Sequence, residues 1–330
     1  MDLVGSFLMS AMTLLVALLC VFLVLPPLLL YKFLASVFRH FSSENMNGKV
    51  VLITGASSGI GEQMAYEYAK KGASLVVVAR RRNLLQQVAA KAQELGSPDV
   101  LVACADVSNA DDCKEFVAKA IHHFGRLDHL VNNAGITSIC KIRDVTDATN
   151  FTPMMDINFW GSVYPTYFAI PHLKKSKGKV VINSSVTAFL NPPRMSFYCA
   201  SKAALMSFYE ALRNELGPTV TITIATLGFV ESEMTQGKHL SKHGVIEVNA
   251  KLREVIRGSF PIMSTGVCAK AIVEGACRGE KNVTEPAWCK VLFLLKVLCP
   301  ELIEWYYRKS YFTKSISTYG SSTSTSWLAI

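Results

Sequence analysis

Residues 49–71 constrain the fold of this 330-residue chain more than any other stretch. Lys49-Val50-Val51-Leu52-Ile53 is a short apolar strand, and Thr54-Gly55-Ala56-Ser57-Ser58-Gly59-Ile60-Gly61 is a glycine-rich turn. Residues 62–71 then place Met64, Ala65, Tyr68 and Ala69 on one helical stripe. Strand, glycine turn and helix in this order predict a doubly wound parallel α/β sheet. In such a turn the backbone can approach a pyrophosphate, and the helix N-terminus supplies free N–H groups. The glycines alone also fit an ordinary strand–helix turn, so a second signal is needed.

Ser185, Tyr198 and Lys202 supply it. In Tyr198-Cys199-Ala200-Ser201-Lys202 the spacing of four puts tyrosine and lysine on one helix face. A phenol with an ordinary pKa of about 10 is a poor acid–base group at neutral pH. A nearby ammonium favours the phenolate, so the pair can pass a proton to or from an alkoxide. Ser185 follows the apolar run Val180-Val181-Ile182, where a strand ends and offers a hydroxyl. The second strand, 73–79, ends in Ala79 and is followed by Arg80-Arg81-Arg82. NAD sites place an acid there for the ribose 2′-hydroxyl. A guanidinium fork suits a 2′-phosphate, so Arg80 and Arg81 point to NADP(H), while Arg82 reads as a solvated helix residue.

With these motifs in order, residues 48–285 resemble the short-chain dehydrogenase/reductases. The resemblance implies a single Rossmann domain over 47–286. It makes Gly55, Ser57, Ser58, Gly59, Ile60 and Gly61 the cofactor loop, and places Asp106 and Val107 against the adenine. Asn133, Ala134 and Gly135 belong to the motif Asn132-Asn133-Ala134-Gly135 beside the cofactor. Ser185, Tyr198, Lys202 and Asn158 are the implied catalytic set, with Asn158 holding a water in a proton relay. Ser185 and Tyr198 would hold substrate, and Tyr198 and Lys202 would also reach the cofactor. Gly228 and Ser232 follow the sixth strand, where Leu227-Gly228 replaces the family's Pro-Gly and loses the rigid entry of proline.

Within that family the chain is similar to the 11β-hydroxysteroid dehydrogenase type and to the plant steroleosins of seed oil bodies. Phe159-Trp160-Gly161, the run from Pro193 to Tyr198, the run from Leu298 to Trp305 and a long apolar N-terminus with a double proline carry the likeness. It implies an NADP(H)-dependent dehydrogenase of a steroid or sterol-like lipid, on a lipid droplet or the endoplasmic reticulum membrane. It also implies a homodimer through two long helices. Two rivals stay open: a sterol-binding droplet coat protein with little catalysis, and a reductase of another membrane lipid such as a retinoid or ketosphingoid base.

Residues 3–31 contain no charge, and 3–25 alone are long enough to cross a bilayer core. No basic residue precedes this run, which exceeds the apolar core of a cleaved signal peptide, so residues 1–40 read as an anchor. Pro26-Pro27 is expected to interrupt the helix, which leaves a spanning helix and a hairpin open. Lys32 and Arg39 follow the segment and Asp2 precedes it, which puts the catalytic domain on the cytosolic side.

Further strands are expected at 100–106, 127–132, 179–185 and 219–227, with long helices at 152–175 and 195–216. Residues 231–265 are polar and aperiodic, fall where the family has its substrate lid, and carry histidines that read as solvated surface. The extension 287–314 mixes Trp288, Trp305, Tyr306 and Tyr307 with lysines and arginine. It suits either a helix packed on the core or a contact with a membrane surface. The tail 315–330 is rich in Ser and Thr. The net charge of +9 has no basic stripe with interleaved aromatics, so no nucleic acid partner is expected. Nine cysteines without paired spacing argue against a disulfide framework or a metal site.

Overall fold

The computed structural model describes residues 3–41, 43–249 and 261–318, and it divides into two compact units, Met1–Glu44 and Asn45–Ile330. In the first unit, α1 (Leu3–Leu19) passes through a π-helical turn, Cys20–Val24, into α2 (Leu25–Phe41). Val4–Tyr31 is apolar and long enough to cross a membrane. Contrary to expectation, Pro26-Pro27 does not turn the chain. The Leu25 N–H reaches back to the Cys20 carbonyl in a π-type bond, and the prolines fall in the first turn of α2. There their missing N–H groups break no regular helical ladder.

The second unit alternates strand and helix. In chain order it runs β1 (Val50–Thr54), α3 (Gly59–Lys70), β2 (Ser74–Ala79), α4 (Arg82–Glu94), β3 (Val100–Cys104), α5 (Ala110–Phe124) and β4 (His129–Asn132). Next come a short α6 (Thr152–Met155), a π turn (Asp156–Trp160), α7 (Gly161–Ser176), β5 (Lys179–Ser185), α8 (Thr187–Leu190), α9 (Ser196–Leu216) and β6 (Thr221–Leu227). A hairpin of β7 (Lys238–Leu240) and β8 (Ile246–Val248) follows, then α10 (Thr265–Cys277), β9 (Asn282–Glu285), α11 (Cys289–Leu298) and α12 (Pro300–Thr318).

Seven of the strands form one parallel sheet in the order β3-β2-β1-β4-β5-β6-β9. Its two faces explain the apolar runs of the central strands. On β1, Val51 and Ile53 join Met64, Tyr68 and Leu85 in one buried cluster, while Val50 and Leu52 join Phe116, Leu173 and Tyr209 in the other. A strand covered on both sides reads as a near-continuous apolar run, as β1 does from Val50 to Ile53. The order reverses direction at β1, which pairs β2 on one side and β4 on the other, so a crevice opens beyond their carboxyl ends.

The expected strands and long helices all form, within a few residues of their predicted ends. Two elements escape sequence reading. β9 is only Asn-Val-Thr-Glu, an edge strand identified by pairing to β6. The β7–β8 hairpin forms inside the polar lid segment and is tied down by Leu240 N–H to the Thr137 carbonyl (2.7 Å). The remainder of that segment, 250–260, lies outside the described residues, as do residues 319–330 of the expected tail.

Candidate active site

The carboxyl ends of β1, β4, β5 and β6 border a cavity of about 830 Å³. At one end the walls are backbone. Gly55, with φ +65°, lies so close to Ala134 that a Cβ would fall 2.8 Å from the Ala134 Cα. A Cβ on Gly61 would sit 2.4 Å from both Asn133 Nδ2 and the Gly55 carbonyl oxygen. Asn133 ties this corner together: Nδ2 donates to the carbonyls of Thr54 (3.0 Å) and Gly55 (3.1 Å), and Oδ1 accepts from Asn183 Nδ2 (2.8 Å). Gly59 (φ +62°) opens α3, whose N-terminus no side chain caps among the described residues, so its first N–H groups are left for an anion.

The two arginines after β2 divide their work. Arg81 donates to Ser57 Oγ (3.0 Å) and Ser58 Oγ (2.7 Å), and its other terminal nitrogen pairs with Glu233 (2.8 Å). Glu233 is also paired with Lys238 (2.5 Å); burial works to raise its pKa, but Lys238 and Arg81 prevail and hold it below the usual carboxylate range. Arg80 is more exposed and reaches Asp106 at 3.4 Å. Burial works to raise the Asp106 pKa, but hydrogen bonds from Ser108 and the Arg80 charge hold it low. Three adjacent donors (the Ser57 and Ser58 hydroxyls and the Arg81 guanidinium), the glycine cradle and the uncapped helix fit the phosphates and ribose of a dinucleotide.

Further along the cavity, Ser185 and Tyr198 line the same walls, and the Ser185 hydroxyl pulls the Tyr198 pKa downward. Thr187 holds the serine from its other side, with its N–H (3.2 Å) and its Oγ1 (3.0 Å) on Ser185 Oγ. Burial pushes the Tyr198 phenol up to about 12, against the pull of the Ser185 hydroxyl. Lys202 is buried, with Nζ on the Asn183 carbonyl (3.0 Å) and 5.9 Å from the Tyr198 ring centre. Burial pushes its ammonium down to about 8. Burial is thus the largest influence on both groups, raising the phenol and lowering the ammonium.

Ser185, Tyr198 and Lys202 line one cavity with Gly55, Ser57, Ser58, Gly59, Ile60, Arg80, Arg81, Asp106, Val107, Asn133, Ala134, Gly135, Gly228 and Ser232. Two expected site residues do not line it. Gly61 lies beneath the loop, against Asn133. Asn158 is fully buried in the π turn, with Oδ1 on the Ile136 N–H (2.8 Å) and Nδ2 on the Ile136 carbonyl (2.9 Å) and Ser201 Oγ (3.0 Å). Gly228 is held to glycine by its neighbours, not by a left-handed backbone: a Cβ would fall 2.9 Å from Cys289 Sγ and 3.0 Å from Pro286 Cδ.

The far wall comes from residues that sequence reading did not place in the site. The Pro192–Met195 stretch, Ile246, Trp305, Tyr306 and Tyr307 complete it. His239, expected at a solvated surface, is buried on β7 with Nδ1 against the Gly237 carbonyl. α11 packs Trp288, Leu292 and Phe293 against Val186 and Leu190. No local periodicity pairs residues about a hundred positions apart, so only the fold reveals this contact.

Comparisons with known proteins agree with this geometry. The family model described as short chain dehydrogenase matches residues 49–243. The chain is 57% identical over 295 residues to "11-beta-hydroxysteroid dehydrogenase 1A" of Arabidopsis thaliana, covering 89% of this chain and 84% of that protein. It is 52% identical over 287 residues to "11-beta-hydroxysteroid dehydrogenase A" of Sesamum indicum, covering 87% and 82%. A crystal structure of a short chain dehydrogenase/reductase from Burkholderia phymatum in complex with NAD shares the fold, with a TM-score of 0.69 at 23% identity, over 78% of this chain and 96% of that one. With seven parallel strands, a glycine cradle at the switch point and a family match over most of the sheet, the chain belongs to the short-chain dehydrogenase family and is an oxidoreductase that binds a nicotinamide cofactor.

Proposed function

We propose that the chain is an NADP(H)-dependent hydroxysteroid dehydrogenase that interconverts a lipid alcohol and ketone at a lipid surface. The observation that carries this reading is the Ser185–Tyr198 pair, with Lys202 behind it, facing a largely apolar wall that includes Trp305 and Tyr306. Such a wall suits a rigid, apolar substrate, and the resemblance to plant proteins named 11-beta-hydroxysteroid dehydrogenases points the same way.

Ser57, Ser58 and Arg81 would hold the 2′-phosphate, with Arg80 at the rim, and Lys202 and Ser232 would hold the nicotinamide end. When bound, the nicotinamide supplies or accepts the hydride. Tyr198 as the phenol gives its proton to the substrate oxygen in reduction, and as the phenolate takes one from the substrate hydroxyl in oxidation. Ser185 holds the same oxygen from the other side. Asn158 fixes the π turn at which a relay water would pass the proton outward. Tyr198→Phe is expected to lower kcat for oxidation of corticosterone with NADP+ by about 10²–10⁴-fold, the scale of lost general acid–base catalysis, with NADPH still bound by fluorescence titration. Turnover within threefold of wild type would overturn the assignment.

The apolar helix of the first unit supports anchoring to a lipid droplet or the endoplasmic reticulum membrane, with the catalytic domain in the cytosol. Exposed Val291, Leu294, Val297, Leu298 and Leu302 on α11 and α12 support a second contact with the lipid. The exposed Trp160, at the end of the π turn, and Tyr167, on α7, are where a homodimer would form. Deleting residues 1–41 should release the enzyme from the floating lipid fraction, and unchanged flotation would refute the anchor.

A further inference from the structure

The turn that follows Ser185 does not hold itself in place. α8 is a single helical turn, Thr187–Leu190, so its carbonyls have no partners within a longer helix. It closes on Asn191 in left-handed backbone (φ 52°), the helix-ending conformation that asparagine adopts more readily than other side chains. At its other end the same turn presents Thr187, whose N–H and hydroxyl both meet Ser185 Oγ.

What holds the turn comes from α11. Lys296 Nζ donates to the Phe189 carbonyl and lies 5.1 Å over the centre of the Phe189 ring. In the amide orientation that satisfies both neighbours, Asn191 donates to the Thr187 carbonyl (3.2 Å) and accepts from the same ammonium (2.9 Å). Phe293, one turn earlier on α11, meets Phe189 edge to face at 5.2 Å. Lys296 thus closes the C-terminal end of α8 while Thr187, at its start, orients the serine. It lies well outside residues 49–243, which match the family model, so the clamp is built from the chain's C-terminal extension.

We propose that Lys296 is a positioning residue for the hydride-transfer reaction: its ammonium clamps the Phe189 carbonyl and the Asn191 amide, and so fixes the turn that sets Ser185 Oγ against Tyr198. This rests on the assignment of Ser185 and Tyr198 made above. Lys296 touches neither substrate nor cofactor in this role. Packing alone would make α11 a passive brace. The ammonium, by contrast, bonds to the very turn whose first residue holds the serine.

A double-mutant cycle in the full-length enzyme separates the two, with corticosterone and NADP+ as probes. Lys296→Met should lower kcat about tenfold, the scale of one charge-assisted hydrogen bond, and leave the NADPH Kd within about twofold. Lys296→Arg should recover most of the loss. In a Ser185→Ala background, Lys296→Met should change kcat by less than about twofold, because the group it positions is gone. A further tenfold loss there, or an unchanged kcat in the single variant, overturns the proposal. If Ser185→Ala itself leaves kcat at the wild-type level, it is the catalytic assignment that fails. Should Lys296→Met not fold, Asn191→Gly suits the left-handed backbone and removes one partner of the ammonium. It should lower kcat about threefold in the wild type and not in Ser185→Ala, and equal losses in both would overturn the clamp.

Discussion

At the cofactor end of the cavity the backbone itself makes the walls, whereas at the substrate end side chains from separate segments make them. Gly55, Gly61, Asn133 and Ala134 approach so closely that one added methyl has no room. Trp305, Tyr306 and Ile246 come instead from a C-terminal helix and a hairpin, and each is partly exposed where it borders the cavity. Close backbone packing leaves a chain one way to satisfy its sterics, so it writes itself into short motifs. A side-chain wall can be refilled by many residues, and the same scaffold can thereby accept different alcohols.

The largest expected effect falls at the cofactor end. Gly61→Val places its first side-chain carbon within 2.4 Å of Asn133 Nδ2 and the Gly55 carbonyl oxygen. The overpacking should cost about 1–3 kcal/mol or more and abolish NADPH binding, as read by thermal melting and fluorescence titration. A folded variant with wild-type affinity would show that the backbone cradle is looser than described. Arg81→Ala comes next. Losing a charge-assisted contact to phosphate should weaken NADPH about 10–100-fold and NADH far less. Equal losses for the two cofactors would mean that Arg81 serves the loop through Ser57 and Ser58, not the 2′-phosphate. Trp305→Ala should be mildest, raising KM for corticosterone roughly 2–10-fold with the NADPH Kd unchanged. A change in NADPH binding there would break the contrast between the two ends.

The cofactor half was legible in the chain for the same reason that it is rigid. The glycine turn, Asn132-Asn133-Ala134-Gly135, and Tyr198 with Lys202 are each local or one helical turn apart, and the structure brings them to one crevice. Sequence reading went astray where burial decides. The spacing of Tyr198 and Lys202 carried no sign that burial is the largest influence on both groups. Gly228 is demanded by the nearness of Cys289 and Pro286, about sixty positions on, which no local spacing announces. The double proline was expected to interrupt the helix, yet the helix continues through a π turn just before it. Glu233, paired with both Arg81 and Lys238, carried no local signal at all.

By itself the sequence determined a parallel doubly wound sheet, a dinucleotide loop, a Tyr–Lys helix face and an apolar N-terminus, because each depends on periodicity or on residues a few positions apart. Only the tertiary structure decided what surrounds Ser185. Thr187 holds its hydroxyl, α8 carries Thr187, and Lys296 reaches α8 from across the chain. Contacts between distant segments arise when the core closes and buries polar groups that must then find partners, and no pattern of neighbours announces them.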